Sequence, residues 1–419
     1  KVTFGATVPT GFEFTAVQEI REKINAYDCE TAQGKVFFTS NFEALPKIHQ
    51  LRSVDKLFLV IKRLENYVYD ETKEVELAKY PELAKSLPWQ QVEEFWKLNR
   101  PHCKKLNRFQ KEKLKERMRI RKTKLSESGK PENAEDQMNF KNRIESLEQS
   151  SEIRFRVTGN RVGKKQSVTS QEADYCFGGH VQDATGWKVD LSFYNVEVLL
   201  DLGVDSLMVA LSLTLFSLHH RNISHFGRTT LRSTIAYNML RLCAPQPGDI
   251  VVDPMCGSGS IPLEGAMQWK DCFHVAGDNC KPAVSRTTGN VLSNDNCPVE
   301  VIRWDATRLP WKSGSIDVCV TDLPFGRRMG SQTDNRILYP RFLFEVARVA
   351  KLGVTRTCIL TYDRRSALKA ISQLSKFWSL KRTVCVNIGG LRAAVYLLNR
   401  TNHVYDQDFI FEEKRNKYV

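Results

Sequence analysis

Four strand ends in the second half of the chain carry residues able to do chemistry. The run Ile250-Val251-Val252-Asp253-Pro254-Met255-Cys256-Gly257-Ser258-Gly259 is an apolar strand ending in an acidic residue, then a turn of small residues that opens a helix over Ile261 to Trp269. Gly257 and Gly259 let the backbone approach a ligand, and the helix start offers it unpaired N–H groups. The turn lacks the third glycine of a dinucleotide fingerprint, and Asp253 would repel a pyrophosphate but suits a cationic amino group. About 20 residues on, a strand over Phe273 to Gly277 ends in Asp278 and Asn279, where a carboxylate can accept hydrogen bonds from two ribose hydroxyls. A third strand, Glu300 to Arg303, ends at Asp305 and Ala306, within reach of an adenine amino group. One carboxylate at a strand end is commonplace. Three on successive strands after a glycine turn are far less easily dismissed.

The fourth strand, Ile316 to Thr321, leads into Asp322-Leu323-Pro324-Phe325-Gly326-Arg327-Arg328. Pro324 fixes φ and removes a donor, which stiffens the turn. The Asp322 carboxylate and the Leu323 carbonyl then provide two acceptors for one pocket, with Phe325 as a stacking plate. That arrangement suits the exocyclic amine of a nucleobase. Without the upstream turn, the same segment reads as a rigid loop with Phe325 in the core.

Strands and helices must position these ends. From Ile250 onward they alternate to the end of the chain, which predicts a doubly wound parallel sheet. A helix over Thr234 to Leu242 precedes it, after a His- and Arg-rich hinge over His219 to Arg232. Two α+β units come earlier. The first has strands at Val2 to Thr7, Lys35 to Thr39 and Lys56 to Leu64, with helix-like Phe12 to Asn25. The second has a strand at Ile153 to Val157, a Gly/Lys turn, a helix over Ser170 to Gly178, and strands near Lys188 to Phe193 and Glu197 to Leu202, with apolar Leu207 to Leu218 packed on it. Between the units, Lys104 to Lys124 is strongly basic and Ser126 to Ser151 is polar, an insertion or linker.

The whole-chain numbers agree. A length of 419 residues allows about two to three domains, and 42% hydrophobic with 26% charged residues excludes collagen-like, coiled-coil and wholly disordered chains. Lys+Arg 62 against Asp+Glu 48 leaves +14, which favours a polyanionic partner. No run approaches a membrane-spanning length and Lys1 to Thr10 lacks an apolar signal core, so a soluble, cytoplasmic protein without membrane contact is expected. The 11 cysteines show no CxxC and no ligand spacing with His, so reduced thiols and no metal are expected.

Asp253-Pro254-x-Cys256-Gly257-Ser258-Gly259 followed by Asp322-Leu323-Pro324-Phe325-Gly326 resembles the class I S-adenosylmethionine-dependent amino-methyltransferases, with Leu323 where the pattern usually has a second proline. The stretch from Arg154-Phe155-Arg156-Val157 through Gly163-Lys164 to about Leu202 resembles a THUMP domain. Together they resemble the THUMP-domain tRNA guanine-N2-methyltransferases, over most of the chain. The resemblance implies an α/β architecture: a ferredoxin-like α+β domain over residues 1–103, the insertion over 104–152, a THUMP core over 153–215, a hinge over 216–233 and a Rossmann-like class I methyltransferase domain over 234–419. It implies S-adenosylmethionine as cofactor. Asp253, Pro254, Cys256, Gly257, Ser258 and Gly259 would line its methionine end, Asp278 and Asn279 its ribose, Asp305 and Ala306 its adenine, and Thr230 and Arg232 would close over its carboxylate.

Asp322, Leu323, Pro324 and Phe325 would then act on guanosine N2 in the tRNA acceptor stem, with position 6 the expected target. The THUMP domain would hold the acceptor end as a ruler. Arg154, Arg156, Arg161, Lys164 and Lys165 supply its charge, and Arg327 and Arg328 would steady phosphates beside the catalytic turn. The family also implies a heterodimer with a small zinc-binding methyltransferase activator on an exposed edge of the catalytic sheet. Apolar Leu338 to Val349 and Val354 to Leu360 are the stretches to weigh for that surface, against a buried helix and strand. Competing readings are methylation of an rRNA or DNA amine, or a non-catalytic RNA-binding scaffold.

Overall fold

The computed structural model describes residues 1–103, 114, 151–163, 166–227, 229–295, 297–324 and 332–406. The basic run after Lys104, the Lys164–Lys165 pair and Phe325, Arg327 and Arg328 lie outside the described residues.

The first half contributes β1 (Val2–Thr7), α1 (Glu13–Ile24), β2 (Cys29–Ala32), β3 (Lys35–Ser40), α2 (Leu45–Ile48), β4 (Lys56–Glu65), α3 (Lys73–Leu77), α4 (Tyr80–Lys85), α5 (Trp89–Asn99), β5 (Arg154–Arg161), α6 (Ser170–Thr185), β6 (Lys188–Val189), β7 (Val196–Leu202) and β8 (Ser206–Ser212). Both α+β units enter one eight-stranded sheet, ordered β2-β3-β1-β4-β8-β7-β5-β6. The join is β4 against β8, antiparallel from Phe58↔Ser212 to Glu65↔Ser206. The apolar stretch after Leu207, expected to pack on the second unit, is therefore the strand that fuses it to the first. The helix expected to end at Gly178 runs on to Thr185. A Cβ on Gly178 would meet Val157 at an ordinary 3.5 Å, and the left-handed cap is Gly186 at φ 72°.

The second half adds α7 (Ser233–Cys243), β9 (Ile250–Asp253), α8 (Ser260–Gln268), β10 (Phe273–Asp278), α9 (Lys281–Leu292), β11 (Val299–Arg303), β12 (Val318–Asp322), α10 (Gln332–Val349), β13 (Arg356–Thr361), α11 (Arg364–Gln373), β14 (Trp378–Ile388) and β15 (Leu391–Arg400). Its sheet runs β11-β10-β9-β12-β13-β15-β14, parallel through β13 and antiparallel at β15 and β14. β9 and β12 are nearly continuous apolar runs because helices cover both faces of the sheet. Leu338 to Val349 and Val354 to Leu360, weighed as surface, lie in α10 and around β13. Leu343, Val346, Val349 and Ile359 are fully buried there.

The two sheets are bound through buried charge. Glu19 on α1 accepts from Ser53 N at 2.8 Å, Tyr237 Oη on α7 at 2.8 Å and Lys23 Nζ at 2.6 Å. Glu264 on α8 accepts from Arg52 Nε at 2.9 Å, Arg221 Nε at 3.0 Å and Asn222 Nδ2 at 2.9 Å. Burial alone would raise both carboxyls, but Lys23 and Ser53 hold Glu19, and Arg221 and Arg52 hold Glu264, below the usual range. Among the described residues, no helix is long and apolar enough to cross a membrane.

Candidate active site

The strand order reverses between β9 and β12, the place where an open α/β sheet binds ligands beyond its carboxyl ends. Val318 lies beside Val251 and Cys319 beside Val252, so the glycine turn and the Asp322 turn leave the same edge of the sheet side by side.

The glycine turn is clamped from below. Cys256 N donates to the Gly277 carbonyl at 2.9 Å, and Gly257 N to Asp278 Oδ2 at 3.1 Å. Asp278 Oδ1 takes Cys280 N at 2.9 Å. Gly257 and Gly259 have φ 57° and 82°, and a Cβ on Gly259 would lie 2.8 Å from Thr287 Cγ2, so both conformation and space require glycine there. A Cβ on Gly277 would fall 2.0 Å from the Trp304 ring, whose Nε1 donates to the Pro254 carbonyl at 3.1 Å. Asp305 follows β11 and holds its own turn, accepting Thr307 N and Oγ1, each at 2.8 Å. Ala306 is buried behind it and Asn279 is exposed at the end of β10.

Asp253 is 3% exposed, and burial followed by repulsion from Asp278 pushes its carboxyl up to about 7, even though Met255 N donates to Oδ1 at 3.2 Å. Asp322 is partly exposed as a residue, but its Oδ1 is enclosed with no hydrogen-bond partner among the described residues. Burial, then the charge of Asp253, raises it well above the usual carboxylate range. Two carboxyls strained in this way on neighbouring strand ends favour a cationic or hydrogen-donating ligand.

A latch that the sequence did not reveal sets the Asp322 turn. Leu323 N donates to the Leu360 carbonyl at 2.9 Å. Tyr339 on α10 lies 2.6 Å from the Pro324 carbonyl and 2.7 Å from Thr361 Oγ1, and Thr361 Oγ1 accepts Asp363 N at 3.0 Å. A carbonyl only accepts, so the tyrosine hydroxyl donates to Pro324 and accepts from Thr361. The turn is thereby fastened to the end of β13.

The other expected site residues divide. Thr230 Oγ1 sits 3.0 Å from Ser258 Oγ, and Ser260 Oγ donates to the Leu231 carbonyl at 2.8 Å, so this segment does meet the glycine turn. Arg232 lies 3.7 Å from Asp55. Arg156 is committed to the buried Glu197, 2.6 Å away and also paired with Lys56, and its guanidinium lies 4.2 Å from the Tyr194 ring centre. It ties β5 to β7. Arg154 pairs with Glu152 at 3.2 Å and Arg161 donates to the Val168 carbonyl at 3.2 Å.

A seven-stranded sheet of this order, with a glycine turn and an acidic-x-Pro turn at its switch point, defines a class I S-adenosylmethionine-dependent methyltransferase. Residues 221–394 match the RMKL-like methyltransferase domain model, UPF0020. The chain is 42% identical to the tRNA (guanine(6)-N(2))-methyltransferase THUMP3 of Bos taurus over 96% of its own length and 89% of that protein. It is 27% identical to the U6 snRNA (guanine-N(2))-methyltransferase THUMPD2 of the same animal, over 87% of this chain and 79% of that one. In fold it is similar to TrmN from Thermus thermophilus, with TM-score 0.70 and 22% identity over 96% and 100% of the two chains. The chain belongs to the THUMP3 family of tRNA guanine-N2-methyltransferases.

Proposed function

We propose that this protein methylates N2 of a guanosine in the tRNA acceptor stem, at position 6, using S-adenosylmethionine. The observation that carries this reading is the enclosed, unpaired Asp322 Oδ1 on the strand end next to Asp253. The residues present fit the cofactor: positive-φ glycines clear its path, Asp253 suits its ammonium group, and Asp278 and Asp305 end the next two strands. Bound S-adenosylmethionine supplies a methyl group on a sulfonium, which departs readily to a nitrogen aligned with it.

Guanine N2 is a poor nucleophile because its lone pair is delocalised into the ring. Asp322 Oδ1 and the Leu323 carbonyl accept its two hydrogens, favour a pyramidal nitrogen and stabilise the positive charge that develops there. A carboxylate with raised proton affinity is suited to take the departing proton. The base leaves its stem at a cost of a few kcal/mol, against which stacking on Phe325 returns ~1–3 kcal/mol. The THUMP unit acts as the ruler, joined to the N-terminal unit through β8 against β4, and that unit is tied to the catalytic sheet by the Glu19 and Glu264 contacts. The activator pairs with β11, which ends the catalytic sheet and carries exposed Ile302.

Asp322→Ala tests this reading. Calorimetry should give a cofactor affinity within about threefold of the parent while methyl transfer to tRNA falls by about 10³. Transfer within about tenfold of the parent would refute it.

A further inference from the structure

The Asp322 turn binds an amine, and both guanine and adenine carry one. Asn335 supplies a feature that tells them apart. It lies four residues before Tyr339 on α10, so the two side chains share a face of the helix. α10 begins beyond the carboxyl ends of the strands and runs back toward β13. Because Tyr339 reaches the Pro324 carbonyl, Asn335 lies one turn nearer the start of α10, toward the carboxyl ends of the strands.

Asn335 is 1% exposed. Its Nδ2 donates to Asp363 Oδ2 at 3.4 Å, and Asp363 is itself anchored by accepting Ser366 N at 3.1 Å through Oδ1. A carboxylate only accepts, so this contact orients the amide, with the nitrogen toward Asp363 and the oxygen away from it. Oδ1 is enclosed and has no partner among the described residues. A buried, unpaired amide oxygen is rare without a role, and a ligand donor would relieve its desolvation.

We propose that Asn335 Oδ1 accepts the N1–H of the target guanine while Asp322 Oδ1 accepts the adjoining N2–H. This rests on the guanosine-N2 reading above. Guanine presents N1–H and its amine as adjacent donors, which one acceptor on the Asp322 turn and one on α10 would match. Adenine presents a bare N1 lone pair beside its amine, and Asn335 Oδ1 would repel it. The Asp322 turn thus takes the amine and Asn335 chooses the base.

The test uses the full chain and a tRNA carrying either guanosine or 2-aminopurine riboside at the target position. The second base keeps the C2 amine but has a bare N1. The parent should prefer guanosine by about 100-fold or more in kcat/KM, since a site built to pair a donor rejects the analogue lacking it. Asn335→Ala should lower the guanosine rate and shrink that preference to about fivefold or less, with cofactor affinity unchanged. Asn335→Asp combined with Asp363→Asn exchanges the ends of the anchoring hydrogen bond, keeps the free acceptor and should restore the preference. Equal losses on both bases in Asn335→Ala, or a preference untouched by it, would make Asn335 a packing residue and overturn the proposal alone. A parent that methylates guanosine N2 in no tRNA would overturn the reading beneath it as well.

Discussion

Asp253 is buried, acidic and raised to about 7, so it opposes folding of the free protein and favours a cationic ligand. The two effects have opposite signs. A carboxyl whose folded pKa lies above its unfolded value contributes stability below the unfolded value, and that contribution is lost as pH rises through about 7. Cofactor binding draws on the ionised form, so affinity should rise by up to about tenfold per pH unit below 7 and level off above it. Thermal unfolding with and without S-adenosylmethionine, from about pH 5.5 to 8.5, should show the ligand-induced shift growing with pH. Asp253→Asn should melt higher than the parent without ligand at alkaline pH and show a flat, small ligand shift. A parent shift independent of pH would remove Asp253 from the methionine end. Residue types in spacing were enough to place Asp253, Asp278, Asp305 and Asp322 at or just after strand ends, because strand, turn and helix are contiguous there. The pairing of Arg156 was not legible, because Glu197, which accepts from both Arg156 and Lys56, arrives from a strand far away in sequence.

At the scale of elements, the catalytic turn is held by a neighbouring helix as well as by its own proline. Leu323 occupies a position where the related pattern has a second proline, and the Tyr339 hydroxyl on α10 supplies restraint to this turn through the Pro324 carbonyl. Tyr339→Phe leaves that carbonyl and Thr361 without the hydroxyl, a loss of about 1–3 kcal/mol in stability. It should lower kcat about tenfold more than it raises KM for the cofactor, because the turn holds the base and not the methionine end. Steady-state kinetics checks this, and equal changes in both parameters would make the tyrosine ordinary core. Neither Tyr339 nor Asn335 could be read from the sequence. Their spacing on α10 is that of any buried helix face, and only the docking of α10 over β12 and β13 gives them a turn to touch. The Gly178-Gly179 pair shows the reverse case: a helix-stop signal within a helix that runs on to its left-handed cap at Gly186.

Across the whole molecule, the helix that follows the glycine turn is tied to the N-terminal unit through Glu264, which holds Arg52 from that unit and Arg221 from the connecting segment. Glu264→Ala strands two largely buried guanidinium groups and should cost about 3–5 kcal/mol, read by chemical denaturation. Because the folded carboxyl is depressed, its contribution is present above the ordinary Glu range and is lost as pH falls below it. A loss under about 1 kcal/mol would mean the two halves are held elsewhere. The two-unit composition of the first half was legible, but its single sheet was not, since β8 joins β4 across more than 100 intervening residues that no local pattern links. On the proposed reading, this long-range frame sets which nucleotide reaches the amine pocket. Mass-spectrometric mapping of tRNA after incubation with the full chain, the proposed activator and S-adenosylmethionine tests that selection most directly. The account predicts N2-methylguanosine at position 6 of the acceptor stem, absent with Asp322→Ala. Methyl groups on adenine, or on U6 snRNA or rRNA guanosines while tRNA stays unmodified, would contradict it.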